Sequence, residues 1–500
     1  MDLMSCCEAT LAHTLHSKWI RAPYTCDIGN LSHFTSRRSL ARPLTFASSS
    51  LLIALLVGGT ATVASGNGAA TPTSSWTVYH GDPSGSGYTS VIKSVNTSAP
   101  KWTSPSLDGT LYGEPLVYGK NVYVATEHDT VYALSAQTGR VVWKRHLASP
   151  VPSSKLPCSN ILPTEGITGT PVIDPARNEI YVVADEMVHS HAEHVLVGLD
   201  ASTGSPRMTH NVDPPGAVSE ALLQRTGLTL DNGRIIFGMG GNYGDCASYR
   251  GRVVSVSEKT GSVSFFTVDA APGDSQGAIW MGGGAPAVDA QGHVWVSAGN
   301  GSVTSSSDPY DDSDSVLELT PSMQLMQYFA PTAWAYDNSQ DQDMSMEPVL
   351  LKDGQVVIAG KSRIIYELNG SNLGGIGEGE TSTVSNCSND IDGGGAVLGS
   401  TVYLPCTTGT IAIRVGSTTP SIDILWSAST GGGPPIIAAG LVWSIGHNGV
   451  LYGYDPTSGA IQHQVTVGQE ANDFPTPSVG DGLFLVPTAT HVVAFRTTAS

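Results

Sequence analysis

The sequence predicts an all-β fold, an eight-bladed β-propeller of four-stranded antiparallel blades closed by an N-terminal strand. Three observations carry that expectation. A four-strand pattern recurs from about residue 110 to the C-terminus. Its later copies are 41 to 49 residues apart, the ~40–50-residue period of propeller blades. The chain also holds 57 glycines and 30 prolines but only 13% charged residues, about half the usual share. Such a composition excludes disorder, which needs low hydrophobicity and high charge density. No long stretch rich in Ala, Glu, Lys and Leu supports a coiled coil. The net charge of −19 argues against a nucleic-acid partner, because phosphate backbones are held by Lys and Arg.

In chain order, the first element is not part of the fold. Arg37, Arg38 and Arg42 precede the apolar run Leu51–Val57, and small residues follow to Gly66. That is the order of a secretory signal, and the run is too short to span a bilayer. Ser36-Arg37-Arg38-Ser39-Leu40 resembles a twin-arginine signal, with cleavage expected near Ala64 or Ala70. No cysteine follows the run to take a lipid. Residues 1–64 are therefore read as leader and signal, 65–75 as a linker, and 76–500 as a single propeller domain. The expected location is secreted or periplasmic, in the cell envelope, with no stable membrane span after processing.

The repeat is clearest in Val131-Tyr-Ala-Leu-Ser-Ala-Gln-Thr-Gly139, Val195–Gly204, Val253–Gly261 and Val450–Gly459. Each is an alternating strand ending in a tight turn, with glycine where positive φ is needed. A further strand follows, as in Arg140-Val-Val-Trp-Lys144, and another pair lies upstream. Each unit thus has strands A to D joined as a meander. Leu134, Leu199, Val256, Leu319, Leu368, Ile413, Tyr454 and Phe495 are equivalent positions, giving eight units. The last unit stops after its third strand. Lys101–Leu107 reads as an orphan fourth strand, so ring closure is expected between it and residues 473–500.

In a meander blade the A–B and C–D turns lie on one face, and the B–C loops and D-to-A links on the other. The first set is short here. Added length falls on the second, at 148–165, 185–194, 240–250, 270–284, 299–315, 331–346 and 375–394. Segments of that size are usually functional, so the B–C face is the expected working face. Four cysteines remain after the signal, and an even number in an exported chain suggests disulfides. Three pairings are possible; the local one, Cys387 with Cys406, is expected, leaving Cys158 with Cys246.

The Val-Tyr-Ala-Leu-x-Ala-x-Thr-Gly-x-Val-x-Trp-Lys pattern resembles the pyrroloquinoline-quinone (PQQ) repeat. That repeat builds quinoprotein alcohol dehydrogenases and non-enzymatic BamB-like propellers. Trp76–Asp82 with Ser86-Gly-Tyr88 looks like their entry segment. The dehydrogenase resemblance implies cofactor-binding roles for Asn300, as a calcium ligand, and Lys361, against the quinone. It implies a base near Trp334-Ala-Tyr-Asp337, where Asp337 is the catalytic candidate. A hard cation wants oxygen ligands, a carboxylate takes the alcohol proton, and a cation stabilises charge on the quinone. There are departures. Ala335 stands where the family has its aspartate. No tryptophan follows Gly282-Gly-Gly284, although Trp280 precedes it. No vicinal cysteine pair remains after the signal.

Asp308, Asp311, Asp312 and Asp314 form an oxygen-rich loop that offers calcium ligands together with Asn300. Asp337, Asp341, Asp343 and Glu347 make a second acidic stretch. His189, His191 and His194 lack the ligand geometry of a zinc site and read as exposed loop histidines. Two functions follow. The first is a non-catalytic, monomeric propeller binding a protein, a glycan or a cell-envelope component through its B–C face, with no cofactor. The second is a PQQ- and calcium-dependent alcohol or sugar dehydrogenase.

Overall fold

The computed structural model describes residues 75–416, 419–469 and 474–499. The expected leader, signal and all but the end of the linker lie outside these residues. Eight antiparallel sheets follow one another along the chain, each with a four-strand order A-B-C-D. The first comprises Leu116–Tyr118, Asn121–Thr126, Thr130–Ser135 and Val141–His146. All eight repeat equivalents, Leu134 to Phe495, lie on third strands and are buried. No helix among the described residues is long and apolar enough to cross a membrane.

The ring closes as the sequence predicts. The last blade takes Ser478–Gly480, Leu483–Pro487 and Val492–Ala499 from the C-terminus. Its outer strand comes from the N-terminus, where Ile92–Asn96 and Trp102–Thr103 both pair with Val492–Ala499. This shared blade removes the open sheet edge that an unclosed ring would expose.

Neighbouring blades are joined by a repeated contact. The indole of Trp143, on the outer strand of blade one, covers Gly204 in the C–D turn of blade two. A Cβ at Gly204 would lie 2.6 Å from the ring, and Trp143 Nε1 donates to the Ala201 carbonyl at 3.0 Å. Trp426 repeats this on Gly459, with Nε1 donating to the Pro456 carbonyl at 3.0 Å. The turn glycine of the repeat therefore has two causes, positive φ and the close approach of the indole.

The entry segment does more than begin the chain. Trp76 pairs with Val117 of blade one, and the Thr77 carbonyl accepts from Ile173 of blade two. The carbonyls of Pro83, Ser86 and Gly87 accept from Val288, Val397 and Ile437, on the inner strands of blades four, six and seven. Residues 76–87 thus cross the axis and close it near the A–B turns. The plug buries His80 completely, stacked on Tyr79 at 4.3 Å.

Two segments read as loops are strands. Residues 185–194 extend the B–C hairpin of blade two, with the ladder continuing to Val188 opposite His191. These ten-residue strands are buried along most of their length, with Val183, Ala192 and Val195 in the interior. This overturns the exposed-histidine reading for His194, which is fully buried and ion-paired with Asp213 at 2.8 Å. Within 375–394, Thr381–Val384 is the outer strand of blade five, and Gly375–Ile376 adds a parallel strand to blade four.

Candidate functional site

On the B–C face a cavity of about 360 Å³ opens at the axis, within the usual range for ligand sites. Links and B–C loops from most of the blades line it, among them Tyr112, Arg225, Tyr243, Trp280, Asp341, Lys361, Asp390, Asp392 and Phe474. The entry plug leaves it open only on this side.

Lys361 is the centre of the wall. It follows the second strand of blade five, Gln355–Ile358. Its Nζ donates to Asp341 at 2.9 Å, contacts Asp343, and lies 5.8 Å from the Trp280 ring centroid. Burial alone would lower its pKa, but Asp343 and Asp341 outweigh that and raise it. Asp343 is fully buried; burial raises its pKa, and Lys361 and the Asn300 amide oppose the rise. Backbone bonds fix the pair, since Lys361 N donates to the Asp343 carbonyl at 2.9 Å.

Asn300 joins them from blade four. Its N–H donates to Asp343 Oδ1 at 2.6 Å. Gly299 permits this approach, because a Cβ there would sit 2.5 Å from the same oxygen. Asn300 is buried, and its Oδ1 has no hydrogen-bond partner, which is costly unless something else ligates it. The structure thus brings Asn300 and Lys361 together, with Asp343 between them.

Asp337 is placed elsewhere. It lies on the short helix α1 (Trp334–Ser339), faces Asp314, and is not among the cavity-lining residues. Its pKa is raised by burial to about 6. Trp334 packs edge-on to Tyr310 at 5.0 Å, so the tryptophan of that stretch anchors the 299–315 loop.

The acidic loop does not gather around Asn300. Asp308, Asp311 and Asp312 line a separate pocket with Asp274. Asp311 accepts from the Val303 and Ser313 backbone N–H groups. Asp314 turns inward and accepts from Met344 N at 2.8 Å. Asp311 and Asp314 are buried, each held by backbone N–H donation.

Trp280 and Arg225 line the cavity, whereas Asp343, like Asn300, lies buried behind that lining and reaches it through Lys361. The sequence reading assigns no role to Trp280 or Arg225 and places Asp343 only in an acidic stretch. Trp280 Nε1 donates to the Gly241 carbonyl at 2.9 Å, which sets its ring in the wall. Arg225 packs on the rings of Tyr112 and Phe474, each 5.5 Å away. Two disulfides brace the rim. Cys158–Cys246 joins the link beside Asn160 to the loop beside Asp245, and Cys387–Cys406 lies beside Asp390.

Comparison with known proteins agrees with the expected resemblance. The family model described as outer membrane protein assembly factor BamB matches residues 88–309. Polyvinylalcohol dehydrogenase of Sphingopyxis sp. (strain 113P3) is 28% identical over 235 residues, 42% of this chain and 32% of that protein. The match therefore spans about a third of that relative's length. Among solved structures, the quinohemoprotein alcohol dehydrogenase ADHIIG from Pseudomonas putida HK5 superposes with a TM-score of 0.65 at 13% identity, covering 85% of this chain and 81% of that one. The enzyme from Comamonas testosteroni gives 0.60 at 16% identity, covering 85% and 80%. BamB from Moraxella catarrhalis gives 0.50 at 14% identity, covering 79% and 96%. At these identities the superpositions establish a shared fold.

Proposed function

This chain is an all-β propeller of PQQ-type repeats, and we propose that it is an exported dehydrogenase that oxidises an alcohol with PQQ held in the axial cavity beside calcium. The observation that carries the reading is the convergence of Lys361, Asp343 and Asn300 next to the Trp280 ring. The similarity to a polyvinylalcohol dehydrogenase supports an alcohol as substrate. The disulfides fit an oxidising compartment.

The residues present fit both groups. The unpartnered, buried Asn300 Oδ1 and the neighbouring Asp343 carboxylate are oxygen donors suited to a hard cation. Trp280 offers a flat apolar face to a planar ring, and Lys361 and Arg225 offer cations to its oxygens. When bound, the quinone supplies the two-electron acceptor, which calcium polarises as a Lewis acid.

The protein's own part is to hold the alcohol and take its proton. Asp343 is the candidate proton acceptor: Oδ1 is engaged by Asn300 N and Oδ2 by Lys361 Nζ, so Lys361 must release Oδ2 for the proton to be taken there. Lys361 opposes the rise that burial imposes on the Asp343 pKa and stabilises negative charge beside it. Asp343 is fully buried, so its charge acts in a low dielectric.

The second reading is a non-catalytic propeller that binds a protein, glycan or envelope component on the same face. One observation favours it: Lys361 is already neutralised by Asp341 and Asp343. Dye-linked oxidation of secondary alcohols, measured after loading with PQQ and calcium, separates the two. Turnover that Asp343→Asn abolishes while quinone binding persists supports the dehydrogenase. Absence of turnover with every alcohol tried, despite bound quinone, supports the binding protein.

A further inference from the structure

A second constellation lies on the opposite face, where the A–B turn of blade four meets Glu318 on its third strand. His293 Nδ1 is 2.8 Å from Glu318 Oε1 and 3.2 Å from Asp289 Oδ2. The three donor atoms all lie within 4.8 Å of one another. We propose that Asp289, His293 and Glu318 bind a divalent first-row transition metal of the zinc or manganese type.

The donors have the right spacing. Ligand bonds of ~2.0–2.2 Å around zinc put neighbouring donors roughly 3 Å apart, and His293 Nδ1 has its two carboxylate oxygens at 2.8 and 3.2 Å. The ion would replace the proton that His293 Nδ1 now shares with the carboxylates. One imidazole nitrogen with two carboxylate oxygens suits zinc or manganese better than calcium, which takes oxygen donors alone.

The surroundings hold the ligands in place, as metal sites require. Asp289 Oδ1 accepts from the N–H groups of Gln291 and His293, each at 2.9 Å. Asp289 Oδ2 also accepts from Trp295 Nε1 at 3.2 Å. Glu318 Oε2 accepts from Gln327 Nε2. Glu318 therefore has one oxygen held by Gln327 and one turned to the histidine, while Asp289 has Oδ1 held by turn amides and shares Oδ2 between Trp295 Nε1 and His293. Glu318 is buried, while His293 and Asp289 are partly exposed to a groove of about 670 Å³ that runs toward Gln355 of blade five. The groove leaves room for water or a ligand oxygen in the remaining coordination positions. The site is on the face away from the axial cavity, so it stands independently of the dehydrogenase reading.

The test uses the full chain, stripped with chelator and kept in excess calcium to fill oxygen-only sites. Zinc is titrated by calorimetry, and cobalt is followed by its visible d–d bands. The expected result is one equivalent of zinc and one of cobalt that disappear in His293→Ala and weaken at least tenfold in Glu318→Gln. Cobalt should also quench the fluorescence of the neighbouring Trp295, a change lost in the same variants. Circular dichroism shows whether each variant folds; if His293→Ala does not, Glu318→Gln alone decides. Unchanged zinc stoichiometry in the folded variants, or no calcium-resistant binding in the parent chain, would overturn the proposal and leave an ion-paired triad.

Discussion

The indole of Trp102 lies on Gly139, and its Nε1 donates to the Ala136 carbonyl at 2.9 Å. Trp102 belongs to the N-terminal strand that completes blade eight, and Gly139 to the C–D turn of blade one. The contact is the one made by Trp143 and Trp426 at other blade junctions, but here it locks the ends of the ring. Trp102→Ala should therefore cost ~3–5 kcal/mol, the range for large buried aromatics. Gly139→Ala should also destabilise, because φ is +70° and the Cβ would meet the ring. Chemical denaturation of both variants checks this, with Lys120→Ala as an exposed control.

The entry plug makes a related prediction. Deleting residues 65–75 should leave the unfolding midpoint nearly unchanged. Deleting 65–90 should lower it and broaden the transition, because five inner strands lose partners to residues 76–87. Differential scanning calorimetry of the two truncations distinguishes a plug from a passive leader.

Stability should fall as pH rises from about 5 to 9. Burial raises the pKa of Glu127 to about 8, and of Glu165, Asp185 and Asp392 to about 7. A carboxyl raised in the folded state contributes fully below its unfolded value, and the contribution is lost as pH passes the folded value. His194 has the same sign: burial would lower it, but Asp185 and Asp213 raise it to about 9. Its contribution is full below the ordinary histidine value and lost through about 9. Tm recorded across this range should decline, and Asp185→Asn should flatten the curve.

The disulfides should matter more for the cavity than for the fold. Removing a disulfide from a small secreted domain costs ~2–5 kcal/mol; less is expected here, since the bonds tie loops and one strand end to a large core. Cys158→Ser with Cys246→Ser should lower Tm by only a few degrees yet weaken ligand binding, because Asn160 and Asp245 are wall residues. Native protein should show no free thiol among the four, by mass mapping and thiol titration.

The repeat was legible because its signals are local. Alternating burial, a Thr-Gly turn and an outer-strand tryptophan appear within twenty residues. Ring closure was legible because a missing fourth strand at one end matched an extra one at the other. The cavity was less so. Gly299-Asn300 and Lys361 were readable by resemblance, but Asp343 was one of four acidic residues in a row of loops. Only folding shows that Lys361 chooses Asp343 and Asp341, while Asp337 turns to Asp314. Trp280 precedes its glycines instead of following them, so motif spacing placed no indole in the wall. The plug had no sequence signal beyond a familiar beginning, since its bonds are backbone bonds to distant strands.

The most direct test of the central claim is equilibrium titration of the full chain with PQQ in the presence of calcium, followed by tryptophan fluorescence and quinone absorbance. Saturation is expected at one quinone per chain, with binding weakened at least tenfold by Lys361→Ala and by Trp280→Ala and unaffected by His293→Ala. Binding that does not saturate, or that Lys361→Ala and Trp280→Ala leave unchanged, would contradict the assignment of the axial cavity.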